Sequence, residues 1–268
     1  MSKYYAKKDI YSKDGRLLLA SGQEISEKTL LRLKSLDCAE AIELVLQNEK
    51  GIYEQDIEES TRILKDNLNS KGIKYYEDAS SIATKILYES KNQPWWIYIN
   101  TLSNYVNWMY LHAINVSVMS IMMAKVRKLE ILNEIALGAF LHDIGKLMIP
   151  KNIIQKPNKL SDIEMMYIKQ HCDLGVSMVK DYNLNQIILN IISQHHEKPD
   201  GSGYPLGLQG EDIPVHSKIV MVADAIDAIT SYRPYKLKKD LKTAIEELRQ
   251  HTAKYPQDVI DAMSSLLL

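Results

Sequence analysis

The sequence predicts a mainly α protein: an all-helical domain over residues 95–268, preceded by a small α+β module over residues 1–50 and a helical connector over 51–94. Three observations carry that reading. Beyond Trp95 apolar residues recur at helical spacing, with capping signals at the starts of the runs. Near the N-terminus, short apolar runs flank the turn Lys13-Asp14-Gly15. One long stretch, Lys198 to Pro214, is rich in Gly and Pro and breaks the helical pattern.

The N-terminal module begins with strand candidates Lys8–Ser12 and Arg16–Ala20 around that turn, in which Gly15 supplies positive φ. Ser26 is placed to cap a helix with Leu30, Leu31 and Leu33 on its buried side, and Ala41–Leu46 reads as a further strand. The charged connector carries Ile57, Ile63, Leu64 and Leu68 on one face, breaks at Asn69-Ser70-Lys71-Gly72, and resumes as a helix around Ser80–Ser90. A module and connector of this kind suit homodimerisation or docking of a partner. Gln93-Pro94 then opens the main domain. Helices are expected at Leu102–Arg127, Ile131–His142, Asp162–Asp181, Gln186–His195, Val215–Ser231, Leu241–His251 and Gln257–Leu267. Ser161 with Glu164 forms a capping box, and Asp240 is an N-cap before an apolar-periodic run.

Composition narrows the function classes. A chain of 268 residues with 46% apolar and 25% charged residues is an ordinary globular protein. A formal net charge of -1 gives no bulk electrostatic case for binding polymeric nucleic acid, so phosphate affinity has to come from local groups or metal. No apolar run is expected to reach the length of a membrane span, and the start MSKYYAKKDIY lacks the apolar stretch of a signal peptide. Cys38 and Cys172 lie far apart and form no CxxC pair, which fits a reducing cytoplasm.

The chemistry concentrates in histidines and aspartates. His142-Asp143 ends an apolar helical run and is followed by Gly145 and Lys146. Adjacent His and Asp supply an imidazole nitrogen and two carboxylate oxygens, and the carboxylate can bridge two ions. An HD dipeptide alone is a weak signal; the rest of the chain supplies further ligands. His112 lies within an apolar helix, His171 within the helix that Ser161 caps, and His195-His196-Glu197 closes the next helix. Asp224 sits in the apolar run Ile219–Ile226, where a carboxylate is costly unless a cation compensates it. Five imidazoles and two carboxylates exceed what one open catalytic ion can use, so two ions roughly 3.5–4 Å apart are expected, bridged by Asp143 with room for a hydroxide between them. Mixed N/O ligation without thiolate suits iron, manganese or zinc.

The loop reads His195-His196-Glu197-Lys198-Pro199-Asp200-Gly201-Ser202-Gly203-Tyr204-Pro205. HD followed by HHE-xx-DG-x-GYP resembles the HD-GYP domain, a subgroup of the HD metal-dependent phosphohydrolases, from about Leu102 to the C-terminus. Lys156-Pro157, Leu160, Val222-Ala223-Asp224 with Asp227, and Arg233-Pro234-Tyr235-Lys236 fit the same pattern. The resemblance implies an all-helical fold, a multinuclear metal centre, and hydrolysis of cyclic di-GMP to pGpG or GMP. It assigns one ion to His112, His142, Asp143 and Asp224, and a second to Asp143, His171, His195 and His196. It also implies that Lys146 contacts the scissile phosphate, that Tyr204 shapes the substrate pocket, and that Arg233 and Lys236 grip phosphate. Glu197 and Asp227 are expected to order imidazoles from outside the ligand set. Some relatives place a glutamate one turn before the first histidine, where it helps bind a third metal. Here that residue is Trp108, so two divalent ions are expected. The alternatives are a cyclic di-GMP receptor or adaptor with little turnover, or a phosphohydrolase of another cyclic dinucleotide.

Overall fold

A computed structural model describes residues 74–105, 107–231 and 239–267, together with five short strands at 4–6, 10–11, 17–19, 24–25 and 44–46. The chain divides into two compact units, Met1–Asp56 and Ile57–Leu268.

In the first unit, β1 (Tyr4–Ala6) is the centre of a three-stranded antiparallel sheet, with β4 (Glu24–Ile25) on one side and β5 (Leu44–Leu46) on the other. Tyr4 stands opposite Ile25 and Leu46. β2 (Ile10–Tyr11) and β3 (Leu17–Leu19) pair antiparallel around the Lys13-Asp14-Gly15 stretch, with an irregularity between Ile10 and Tyr11. The helix expected after Ser26 and the first half of the connector lie outside the described residues.

The second unit is helical among its described residues. Its elements are α1 (Tyr76–Ser90), α2 (Trp96–Tyr105), α3 (Asn107–Val126), α4 (Leu132–Leu141), the short α5 (Lys151–Ile154), α6 (Asp162–Lys169), α7 (His171–Val179), α8 (Gln186–Gln194), α9 (Val215–Thr230), α10 (Leu241–Gln250) and α11 (Gln257–Ser264). α3 is the central helix: Met109, Ile114, Met119, Ile121, Met122 and Met123 are wholly buried, and α1, α2, α4, α9 and α11 pack around it. α1, from the connector stretch, buries Tyr76, Ala79, Ala83, Ile86 and Leu87 within this unit. With a single Phe in the sequence, the core is filled by Ile, Leu, Val, Met and Ala, and Phe140 on α4 is fully buried among them.

Two expectations need correcting. Trp108–Val126, 19 residues with a mean hydropathy of 1.3 over an 18-residue stretch, is long and apolar enough by composition to cross a membrane. Its apolar side chains belong to the core, since 83% of that stretch is buried inside the protein. The helix expected over Asp162–Asp181 is two helices that meet at Gln170, followed by a 3-10 turn at Lys180–Tyr182. The carbonyl of Ile168 accepts from the His171 ring at 2.6 Å, so a side chain takes a position that a continuous helix would give to a backbone amide.

Candidate metal centre

The histidines are aimed by the ends of their helices. His142 follows the last turn of α4, and its Nδ1 lies 2.7 Å from the carbonyl of Ala139. His195 follows α8, with Nδ1 at 3.1 and 3.0 Å from the carbonyls of Ile191 and Ile192. His171 opens α7 and uses Ile168 in the same way. A carbonyl only accepts, so Nδ1 carries the proton in each ring and donates it. Nε2 is left with a bare lone pair turned to the centre. His112, on buried α3, is held through Nδ1 by the Asp227 carboxylate at 2.6 Å.

Gly145 makes this gathering possible. A Cβ there would lie 1.9 Å from the carbonyl oxygen of His171 and 2.6 Å from the amide of Gly175. The turn after His142-Asp143, a 3-10 helix over Ile144–Met148, therefore lies directly against α7 and brings Asp143 up to His171.

Asp143 sits between two groups of ligands. Its Oδ2 faces His142 Nε2 at 3.4 Å and His112 Nε2 at 3.8 Å, while its Oδ1 faces His171 Nε2 at 3.3 Å and His195 Nε2 at 3.8 Å. Asp224, on α9, brings Oδ1 to 3.1 Å from His112 Nε2, and His196 Nδ1 lies 3.8 Å from Asp224 Oδ2. The result is two clusters of potential ligands, His112 with His142 and Asp224, and Asp143 with His171, His195 and His196. Asp143, His142, His171 and His195 are wholly buried, whereas the side chains of Asp224 and His196 keep 16% and 22% of their exposure. Solvent therefore reaches the centre from the Asp224–His196 side.

These residues fit metal ions. His171 Nε2 and His195 Nε2 are 3.1 Å apart, yet both rings have committed their protons to carbonyls. Two lone pairs at that separation repel unless a cation lies between them. Asp143 Oδ1 and His142 Nε2 are buried without any hydrogen-bond partner, a costly state in a protein interior that a metal relieves.

The electrostatics divide along the same line. Burial, aided by Lys146, pushes the His171 imidazole down to about 4. Burial also drives His195 and His196 well below the ordinary value, so these rings are neutral ligands. Burial pulls His112 downward too, but its hydrogen bonds to Asp224 and Asp227 outweigh it and raise the imidazole to about 9. Burial would raise both carboxyls; Lys146, followed by His142, holds Asp143 well below the usual range, and the His112 hydrogen bond does the same for Asp224.

Around this centre, Lys146 Nζ lies 2.5 Å from Asp143 Oδ2 and supplies the positive charge that the buried carboxylate needs. Tyr204 stacks on the His196 ring with centroids 4.8 Å apart, and Lys169 Nζ lies 5.2 Å from the Tyr204 centroid. Arg233 and Lys236 lie outside the described residues. Asp227 orders His112 and accepts also from Asn115 Nδ2 at 2.8 Å and Ser231 Oγ at 2.7 Å. Glu197 corrects the sequence reading: its carboxylate accepts from the amides of Leu206 and Leu208 at 2.7 and 3.0 Å rather than from an imidazole. Having turned away from the rings, it clamps the loop, and a Cβ at Gly203 would meet the Glu197 Cα at 2.4 Å. One residue escaped the sequence reading: Asn115, which holds Asp227, carries the weak signal of a polar residue one turn after His112 on an apolar helix.

The HD domain family profile matches residues 97–259, a span that contains all seven ligand candidates. This chain belongs to the HD domain family. Its HD-GYP resemblance is upheld by the curated proteins it is similar to. A cyclic di-GMP phosphodiesterase of Thermotoga maritima is 42% identical over 136 residues, which are 50% of this chain and 37% of that protein. The cyclic di-GMP phosphodiesterase PA4108 of Pseudomonas aeruginosa is 35% identical over 158 residues, 57% of this chain and 38% of that protein. The chain thus spans well under half the length of these relatives. Among solved structures, Bd1817, a HDG"Y"P protein from Bdellovibrio bacteriovorus, aligns with a TM-score of 0.56 at 23% identity, over 99% of this chain and 94% of that one, a likeness of fold.

Proposed function

We propose that this HD-domain chain is a metal-dependent phosphodiesterase that hydrolyses cyclic di-GMP to pGpG or GMP. The observation that carries the reading is Asp143, whose two oxygens face two separate sets of imidazole nitrogens. The named activity of the relatives from Thermotoga maritima and Pseudomonas aeruginosa supports the substrate.

Two divalent ions, iron or manganese with zinc a further fit, are the cofactors of this reading. His112, His142 and Asp224 would hold one, His171, His195 and His196 would hold the other, and Asp143 would be shared by both. When bound, such a pair supplies a water-derived nucleophile near neutral pH and charge stabilisation for an in-line displacement. Trp108 offers no lone pair where a third ion would need one. Lys146, which neutralises Asp143 in the protein alone, supports the developing negative charge on the scissile phosphate. Tyr204, stacked on His196 at the solvent-facing side, forms a wall of the substrate pocket. Arg233 and Lys236 bind phosphate, and Asp227 keeps the His112 ring in register.

In the same reading, residues 1–50 form a separate α+β module, 51–94 connect it to the catalytic domain 95–268, and module and connector serve dimerisation or docking. The protein works in the cytoplasm, where its substrate is a signalling nucleotide.

The test is elemental analysis of the purified full chain, paired with chromatography of products after incubation with cyclic di-GMP. The expected result is two ions per chain and release of pGpG or GMP. Metal-loaded protein that binds cyclic di-GMP and returns it uncut would replace the enzyme with a receptor.

A further inference from the structure

With the ligands, Lys146 and Tyr204 assigned, one half-buried cation close in sequence to the centre has no role. Lys198 follows directly on the His195-His196-Glu197 run, and its backbone is fixed. Its carbonyl accepts from Gly201 at 2.8 Å, and the chain at Gly203 lies so close that a Cβ would stand 2.3 Å from the Lys198 nitrogen. The side chain is laid over the half-buried Tyr255, just before α11, with Nζ 4.0 Å from the ring centroid. Among the described residues the ammonium has neither a hydrogen-bond acceptor nor an ion-pair partner. Lys198 stands two residues beyond His196, the partly exposed ligand on the solvent-facing side of the centre.

A cation held on an aromatic ring, rooted in a rigid loop and lacking an acceptor is suited to an anion that arrives with the substrate. A cyclic dinucleotide carries two phosphates, and only one is cut at a time. Lys146 is tied to the buried carboxylate of Asp143, while Lys198 lies over Tyr255 on the loop that runs on from the partly exposed ligand His196. We propose that Lys198, positioned by Tyr255, is a substrate-binding residue that contacts the phosphate of the cyclic dinucleotide that is not being cut. The proposal rests on the reading of this site as a cyclic-dinucleotide phosphodiesterase. It makes Lys198 a determinant of ring recognition that is indifferent to the identity of the bases.

The experiment compares the wild type, Lys198→Met, which keeps an unbranched stem over Tyr255, and Lys198→Arg, which keeps the charge. Hydrolysis of bis(p-nitrophenyl) phosphate, a diester with one phosphate, reports on the metal centre alone. Cyclic di-GMP and cyclic di-AMP, added as competitors of that reaction, report on binding of the ring. Lys198→Met is expected to weaken both dinucleotides by roughly ten- to a hundred-fold, the loss of one charge-assisted hydrogen bond, with nitrophenyl ester turnover and metal content unchanged. Lys198→Arg is expected to recover most of the affinity. Unchanged competition in Lys198→Met overturns the proposal. A loss confined to cyclic di-GMP overturns it in favour of a guanine contact, and a parallel fall in nitrophenyl ester turnover or metal content overturns it in favour of support for the centre. The wild type separates this from the underlying reading: a wild type that neither binds nor cuts any cyclic dinucleotide ends both. A wild type that cuts another cyclic dinucleotide ends only the choice of cyclic di-GMP, and the Lys198 effect is then read on that substrate.

Discussion

The two halves of the centre share Asp143 but are built on opposite electrostatic plans. The His112 half sets an imidazole between two carboxylates, Asp224 at 3.1 Å and Asp227 at 2.6 Å, which favour its protonated form. The His171 half gathers three imidazoles held neutral by burial, around one carboxylate oxygen. The first half attracts protons as well as metal; the second presents lone pairs that repel one another until a cation arrives. A binuclear site can thus be asymmetric in proton competition although its ligands are the same two residue types.

The largest expected effect removes the element common to both halves. Asp143→Ala should abolish hydrolysis of cyclic di-GMP and reduce metal content in both halves, read by elemental analysis. Near-normal turnover with both ions retained would show that the halves do not depend on this bridge.

Gly145→Ala separates the halves through the backbone. The new methyl has to occupy space 1.9 Å from the His171 carbonyl, so α7 must shift away from Asp143. Loss of metal from the His171 half with retention in the other is expected, along with a stability cost of about 1–3 kcal/mol or more, read by metal titration and thermal melting. Equal loss from both halves would mean that the turn supports the centre as a whole.

A smaller effect follows from Asp227→Asn. The amide would turn a donor toward either the His112 Nδ1 proton or the Asn115 amide, both now facing acceptors. Metal affinity should fall by roughly ten- to a hundred-fold in the His112 half only. Unaltered affinity would remove Asp227 from the positioning of that ring.

The subtlest test is the pH dependence of stability in chelator-treated protein. His171, lowered to about 4 from the ordinary 6.5, gains protons on unfolding; its contribution is present above 6.5 and is lost as pH falls toward 4. His112, raised to about 9, keeps an extra proton when folded; its contribution is complete below 6.5 and is lost as pH rises through about 9. His171→Gln should therefore flatten the acid limb of a melting-temperature profile and His112→Gln the alkaline limb. Identical profiles would refute the asymmetry.

Much of this was legible in the amino-acid order. The helical class followed from apolar spacing, and the Ser161–Glu164 capping box and the Asp240 cap are local interactions within a few residues of chain. The candidate ligands were legible because a polar ionisable group in an apolar helix, such as Asp224 in α9, has few structural reasons to be there. What the order of residues left open were side-chain directions and contacts that spacing does not encode. The helix break at Gln170 depends on a ring reaching back to Ile168, which periodicity does not register. The turn of Glu197 toward Leu206 and Leu208, away from the imidazoles, depends on how the loop folds back over it. The long apolar run of α3 became a core helix because five other helices cover it, a fact of packing and not of composition.

Sequence alone determined which residue types were available and that most of the ligands would ride on or end helices, because those depend on neighbours one or two turns away; it did not register the break that puts His171 at the start of α7. Only the tertiary structure decided that Asp143 faces one set of imidazoles with each oxygen, that His171 and His195 meet at 3.1 Å, and that Lys198 lies over Tyr255. The physical reason is range. Capping, periodicity and helix ends act over a few residues, while a metal centre is assembled from α3, α4, α7, α8 and α9 by the packing of the core that holds them.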